Sequence, residues 1–204
     1  MSTPRCDILS GTSLWMLELQ ATLDGAGRRR TICADMTAEE FTSIREQFHS
    51  YVNGFAEEGC ALHPVLQLKA DHCARVAEEA RALSIDLGWS LADQTAAEAL
   101  GLLHDAGRFS QYADFGTFSD PVSVDHGLRG WEVVRQKGWL SSCSPEVREQ
   151  MLDGIRYHNG RTLPEGLPDR SLAMVRLIRD ADKLDIFEIV LNEVHRDGFQ
   201  DLPK

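Results

Sequence analysis

No apolar run in these 204 residues approaches the roughly 18 that a membrane span requires, so the chain is not expected to cross a bilayer. Met1 to Ser10 lack a basic patch followed by an apolar stretch, so no secretory signal is expected there. Thiol pairs are missing too. Cys6, Cys33, Cys60, Cys73 and Cys143 are odd in number and none stands in a C-x-x-C pair. That argues against a disulfide framework and against a thiolate zinc site, and it predicts reduced thiols in a cytoplasmic protein. Positive charge is scarce: 21 Lys and Arg against 32 Asp and Glu leave a formal net charge of -11. Such a balance argues against nonspecific nucleic-acid or anionic-membrane binding. It leaves phosphorylated small molecules open, because a bound cation can reverse the local field. There is no G-x-S-x-G elbow and no G-x-x-x-x-G-K-[ST] loop, so neither a serine nucleophile of that kind nor a phosphate-cradling loop is expected.

What is present divides into two regions. In residues 1–36, Leu17, Leu19, Ala21 and Leu23 alternate with polar residues, and Asp24 to Gly27 offers a turn. With Arg28 to Ala34 as a returning strand, this extension reads as a small β-hairpin. In residues 37–204 helix signals dominate, and the expected class is all-α. Thr37 and Glu40 make a capping box for a helix to about Glu57. Pro64 suits the first turn of a helix running to about Leu87. Ala92 to His104 follows, with Gly107 read as its C-terminal cap. Gln111 to Val124 reads as a loop, Ser123 to Lys137 as a helix, and Ser144-Pro145 as the start of another ending near His158. Asp169 to Asp197 holds no Gly or Pro and predicts one long helix or two broken ones.

Four of these helices place a histidine or carboxylate where an apolar residue belongs. His72 falls between Leu68 and Val76, in a stripe with Val65, Ala80 and Leu83. His104 follows Ala97 and Leu100, and His158 follows Val147, Met151 and Ile155. Asp182 lies between Ile178 and Ile186, on a face shared with Val175 and Ile189. An ionised carboxylate buried there is costly without a partner. Inward His and Asp groups from several bundle helices are a common way to build a metal site, and a buried His–Asp hydrogen-bond network is the alternative.

The motifs themselves are His72 in LKADHCARVA, His104-Asp105 in LLHDAGRF and Asp182 in IRDADKLDIF. In that order they resemble the signature of the HD superfamily of metal-dependent phosphohydrolases, over about Thr37 to Gly198. The resemblance implies an HD-domain helical bundle in which His72, His104, Asp105 and Asp182, rather than Asp180 or Asp185, hold a divalent cation. His126 and His158 look like the intermediate positions of the HD-GYP branch, as ligands of a second cation or as contacts to substrate phosphate. The chain departs from that branch in having neither a His-His pair nor a Gly-Tyr-Pro triplet, which argues against cyclic dinucleotide hydrolysis.

Imidazole and carboxylate donors without thiolate suit manganese, iron, nickel, cobalt, zinc or magnesium. The expected chemistry is attack of a metal-activated water on a phosphoric ester, with Asp105 able to take a proton. Arg108 and Lys183, next to ligand motifs, are the expected phosphate contacts, ahead of Arg129, Arg161 and Arg179. Gln111, Thr117 and Asp120 are further candidates for substrate contact, and Phe115 and Phe118 for stacking on a base or capping the core. The expected substrate is a phosphorylated small molecule, with a nucleotide as the leading class. Removal of pyrophosphate from a nucleotide, and a nucleotide-binding regulatory module without turnover, are the alternatives. A homo-oligomer contact through residues 1–36 is compatible with all three.

Overall fold

The computed structural model describes residues 36–57 and 60–197, with side chains through Phe187. The expected hairpin therefore lies outside the described residues. Helix α1, Ala38–Asn53, opens on the anticipated capping box: the Thr37 hydroxyl accepts from the Glu40 N–H at 3.1 Å, and the Glu40 carboxylate accepts from the Thr37 N–H at 2.7 Å. Helix α2, Pro64–Asp86, starts on the proline, with His63 Nδ1 accepting from the Val65 N–H. Helix α3, Leu91–Leu103, is capped by Ser90. Helix α4, Ala106–Phe115, follows almost at once, and a 3-10 turn, Asp120–Val122, precedes helix α5, His126–Lys137, capped by Asp125. Helix α6, Pro145–Tyr157, is capped by Ser144, and helix α7, Asp169–Asp197, runs unbroken. The described residues contain no strand, and none of their helices is long and apolar enough to cross a membrane.

Helix α3 is the central rod. Ala96, Ala97, Ala99, Leu100 and Leu103 are fully buried, and the helix packs against α1, α2, α6 and α7. Small residues let the backbones close up. A Cβ on Gly101 would sit 2.5 Å from the Ala77 Cα of α2. The chain then reverses at Asp105, whose φ of -100° and ψ of 17° end one helix and begin the next.

That reversal corrects the expected loop between Gln111 and Val124. A complete helix, α4, occupies Ala106–Phe115, with Phe109 and Gln111 fully buried. Gly107 is not a C-terminal cap but part of the first turn of α4. A Cβ there would meet His126 O at 2.4 Å and Gly130 N at 2.5 Å, so glycine is what lets α4 lie against α5. The obstructing atoms are backbone and cannot rotate away. Gly107→Ala is expected to cost about 1–3 kcal/mol, read as a lowered urea midpoint, and a midpoint equal to wild type would show that the two helices separate freely.

Two apolar stripes also differ from expectation. On α2 the buried face runs through Leu66, Cys73, Val76, Ala77 and Ala80, while Leu68 is 67 % exposed. On α7, Ile186 is 49 % exposed, Asp182 is only partly covered, and Asp185 is the buried carboxylate at 1 %. Helix α5 begins at His126, three residues later than expected, because Asp125 rather than Ser123 supplies the cap.

Candidate metal centre

Each candidate ligand is delivered by a defined piece of the fold. His72 projects from the middle of α2, His104 caps the C-terminus of α3, and Asp105 opens α4. His126 is the first residue of α5, His158 caps the end of α6, and Asp182 lies on α7. His72, His104, Asp105, His126 and His158 are all buried.

The six side chains meet around the Asp105 carboxylate. Its Oδ2 lies 3.7 Å from both His72 Nε2 and His104 Nε2. Asp182 Oδ1 closes that group, at 3.2 Å from His72 Nε2 and 3.8 Å from His104 Nε2. Asp105 Oδ1 turns the other way, to His126 Nε2 at 3.5 Å and His158 Nε2 at 3.6 Å. The carboxylate thus stands between two sets of donors, one on each oxygen.

Every imidazole is fastened from outside through Nδ1. His104 Nδ1 donates to Gly101 O at 2.7 Å and His158 Nδ1 to Ile155 O at 2.8 Å. His72 Nδ1 meets Asp185 Oδ2 at 2.7 Å, and His126 Nδ1 meets Asp120 Oδ2 at 2.6 Å. All four partners are acceptors, so Nδ1 carries the proton and Nε2 presents a lone pair inward. Asp185 is held in turn by Arg75, at 2.5 Å from Nε and 3.1 Å from Nη2. Asn159 Nδ2 and Arg108 Nη1 reach Asp120.

A cation suits this arrangement on three grounds. His72 Nε2, His104 Nε2 and Asp105 Oδ1 are buried without a hydrogen-bond partner. Among the described residues, nitrogens and oxygens of His72, His104 and Asp182 lie within 4.8 Å of one another, as do those of His104, Asp105 and His158. Neighbouring donors about 2.1 Å from a common ion stand roughly 3.0–3.5 Å apart, close to the spacings here. Finally, His126 Nε2 and His158 Nε2 are 3.0 Å apart. Two lone pairs repel at that distance unless a proton or a cation lies between them. Cys73, next to His72, is no thiolate donor: burial first, then the Asp105 charge, pushes its thiol well above the ordinary range.

The electrostatics match. Burial opposes ionisation of Asp105, but the His104 ring and the Lys69 ammonium hold its carboxyl well below the usual range. Burial likewise opposes Asp182, and the His72 ring 3.2 Å away, with His104, reverses it, to about 2. Burial lowers His104 to about 3 and also lowers His126. His72 goes the other way: burial disfavours its charge, but Asp182, Asp105 and Asp185 outweigh that and raise it.

An acid-stability prediction follows. A neutral buried His104 takes up its proton only on unfolding once the pH is below about 6.5, so stability falls between about 6.5 and 3. The contribution of Asp182 is complete above 3.8 and is lost as the pH drops through about 2. His72 has the opposite sign, its stabilisation being full below 6.5. The His104 term covers that range while the Asp182 loss falls mostly below pH 3, and metal-free protein is expected to lose stability between pH 7 and 3. Urea midpoints of chelator-treated protein across that range check this; a flat profile contradicts it.

The expected phosphate contacts fare differently from the ligands. Arg108 Nη1 donates to Gln111 Oε1, Phe118 O and Asp120 Oδ1, at 2.9, 2.5 and 2.8 Å, and Nη2 lies 3.3 Å from His126 Nε2. Its fork ties the α4–α5 connection together, while its Nε, buried without a hydrogen-bond partner, lies 3.5 Å from Asp105 Oδ1. Lys183 is 54 % exposed and pairs with Asp180 at 3.5 Å, because adjacent helical residues point about 100° apart. Arg129 bonds Ser110 and Asp114, Arg179 bonds the carbonyls of Tyr157 and Gly160, and Arg161 is exposed. Gln111 is fully buried, its amide donating to Asp120, Ser123 and Val124. Thr117 Oγ1 accepts from Ser119 N–H. Phe115 is 47 % exposed, whereas Phe118 packs on the core and against Tyr112.

Lys69 escaped the sequence reading, Asp185 was set aside there as a ligand, and Asp120 was expected to contact substrate. Lys69, one turn before His72, places its ammonium 2.9 Å from Asp105 Oδ2. Asp185 and Asp120 orient His72 and His126. Asp185 stands three residues after Asp182, and that spacing was the available signal.

No curated protein and no solved structure matches the chain. A family model described as HD domain matches residues 70–186, more than half of the 204 residues, and this span contains all six converging side chains. The chain belongs to the HD domain family.

Proposed function

We propose that the protein hydrolyses a phosphoric ester at a centre holding two divalent cations. The observation that carries this reading is the double-sided Asp105 carboxylate, with Oδ2 facing His72, His104 and Asp182 and Oδ1 facing His126 and His158. A cation bound there supplies Lewis acidity, lowering the pKa of water and polarising a phosphoryl oxygen. Asp105, ionised and shared between both sides, sets the negative charge that admits cations, and its oxygens are placed to accept a proton from a nucleophilic water. The four imidazoles are oriented through their Nδ1 bonds. Phe118, half-buried with the Lys69 ammonium 5.8 Å from its ring, offers an aromatic surface beside a positive charge, which supports a nucleotide as the substrate.

The test is a metal-supplemented screen of purified protein against mononucleotides, cyclic dinucleotides and nucleoside triphosphates, after elemental analysis. Release of inorganic phosphate is expected, and release of pyrophosphate would move the substrate to the pyrophosphohydrolase class. Protein that binds no divalent cation and turns over nothing in the panel defeats the proposal.

A further inference from the structure

Lys69 occupies a place that a cation would need. Its ammonium lies 2.9 Å from Asp105 Oδ2, the same oxygen that His72 Nε2 and His104 Nε2 approach to 3.7 Å. One carboxylate oxygen is therefore offered both to an ammonium and to whatever the two ring nitrogens hold. These charges cannot share it: at about 4 Å in a partly buried site, the repulsion between a dication and an ammonium is several times thermal energy. Lys69 is the member able to move. Its side chain is 25 % exposed against 4 % for Asp105, and it carries its charge on a flexible four-carbon stem. Of the two cations expected from the sequence, Arg108 lies against the other oxygen, its Nε 3.5 Å from Asp105 Oδ1, and Lys183 is turned toward Asp180.

We infer that Lys69 is a resident counter-ion which holds Asp105 in the metal-free chain, yields that oxygen to a divalent cation, and then carries its charge to the phosphoryl oxygens of the substrate. The inference rests on the metal-centre reading above but makes a separate claim about one side chain.

The experiment measures Mn2+ binding by calorimetry for wild type, Lys69→Met and Lys69→Arg, followed by inorganic phosphate binding to the Mn2+-loaded proteins. Lys69→Met no longer has an ammonium to displace, so its Mn2+ dissociation constant is expected to fall about tenfold, with phosphate affinity about tenfold weaker. Lys69→Arg keeps the charge and is expected to stay near wild type in both. Melting temperatures identify any variant that fails to fold, in which case Lys69→Gln replaces it. If wild type binds Mn2+ and Lys69→Met binds it equally or less tightly, the counter-ion role is wrong and the metal centre stands. Tighter Mn2+ binding with unchanged phosphate affinity removes the substrate contact. Wild type that binds no Mn2+ overturns both.

Discussion

Asp105→Asn is expected to lower turnover by on the order of 10³-fold and to strip the purified protein of most of its divalent metal. Asparagine keeps the shape of the side chain but replaces a shared anion with a neutral amide, at the one position that faces both sets of imidazoles. The fold is expected to persist, because the rings are held by Gly101, Ile155, Asp120 and Asp185 and not by Asp105. Circular dichroism, elemental analysis after dialysis and kcat/KM check the three statements together. Activity within tenfold of wild type would remove Asp105 from the centre of the mechanism.

His126→Ala and His158→Ala are each expected to reduce bound metal from two equivalents to one, with activity falling about 10–100-fold. Both rings approach Asp105 at Oδ1, whereas His72 and His104 approach Oδ2 and Asp182 closes on those two rings, with His104 also within 4.8 Å of His158. Loss of one ion should leave the other in place. Metal content that stays constant while phosphate affinity drops would reassign these two histidines to substrate binding. Loss of both ions from either variant would show that the two sides do not load independently.

The converging side chains were legible in the sequence because their signal is local. His104 and Asp105 adjoin, and His104 and His158 each end an apolar helical series, as Val147, Met151 and Ile155 lead to His158. Helix starts were equally readable, from a capping box at Thr37 and from first-turn prolines at Pro64 and after Ser144. Helix α4 was missed because Ala106-Gly107 resembles a helix stop, while the reason for the glycine lies on α5, in the carbonyl of His126. The burial of Asp182 was overestimated for a similar reason. Ile186 shares its face in sequence, but α7 leaves Ile186 outside the packed interior. Lys69 and Asp185 gain their roles only when α2, α4 and α7 come together, 36 and 113 residues apart in the pairs they form. The spacing of Asp185 from Asp182 puts both on one helix face but names no partner, and nothing beside Lys69 names Asp105.

The Nδ1 tethers have one more consequence. A ring anchored to a backbone carbonyl or a buried carboxylate cannot flip, so the coordinating nitrogens are already aimed when the ion arrives. Loading then orders little that is not ordered beforehand, unlike a zinc finger, whose chain collapses around its ion. Such a scaffold would take up an ion as a rigid receptacle, and availability of the ion in the surroundings, rather than refolding, would set how much of the protein is loaded.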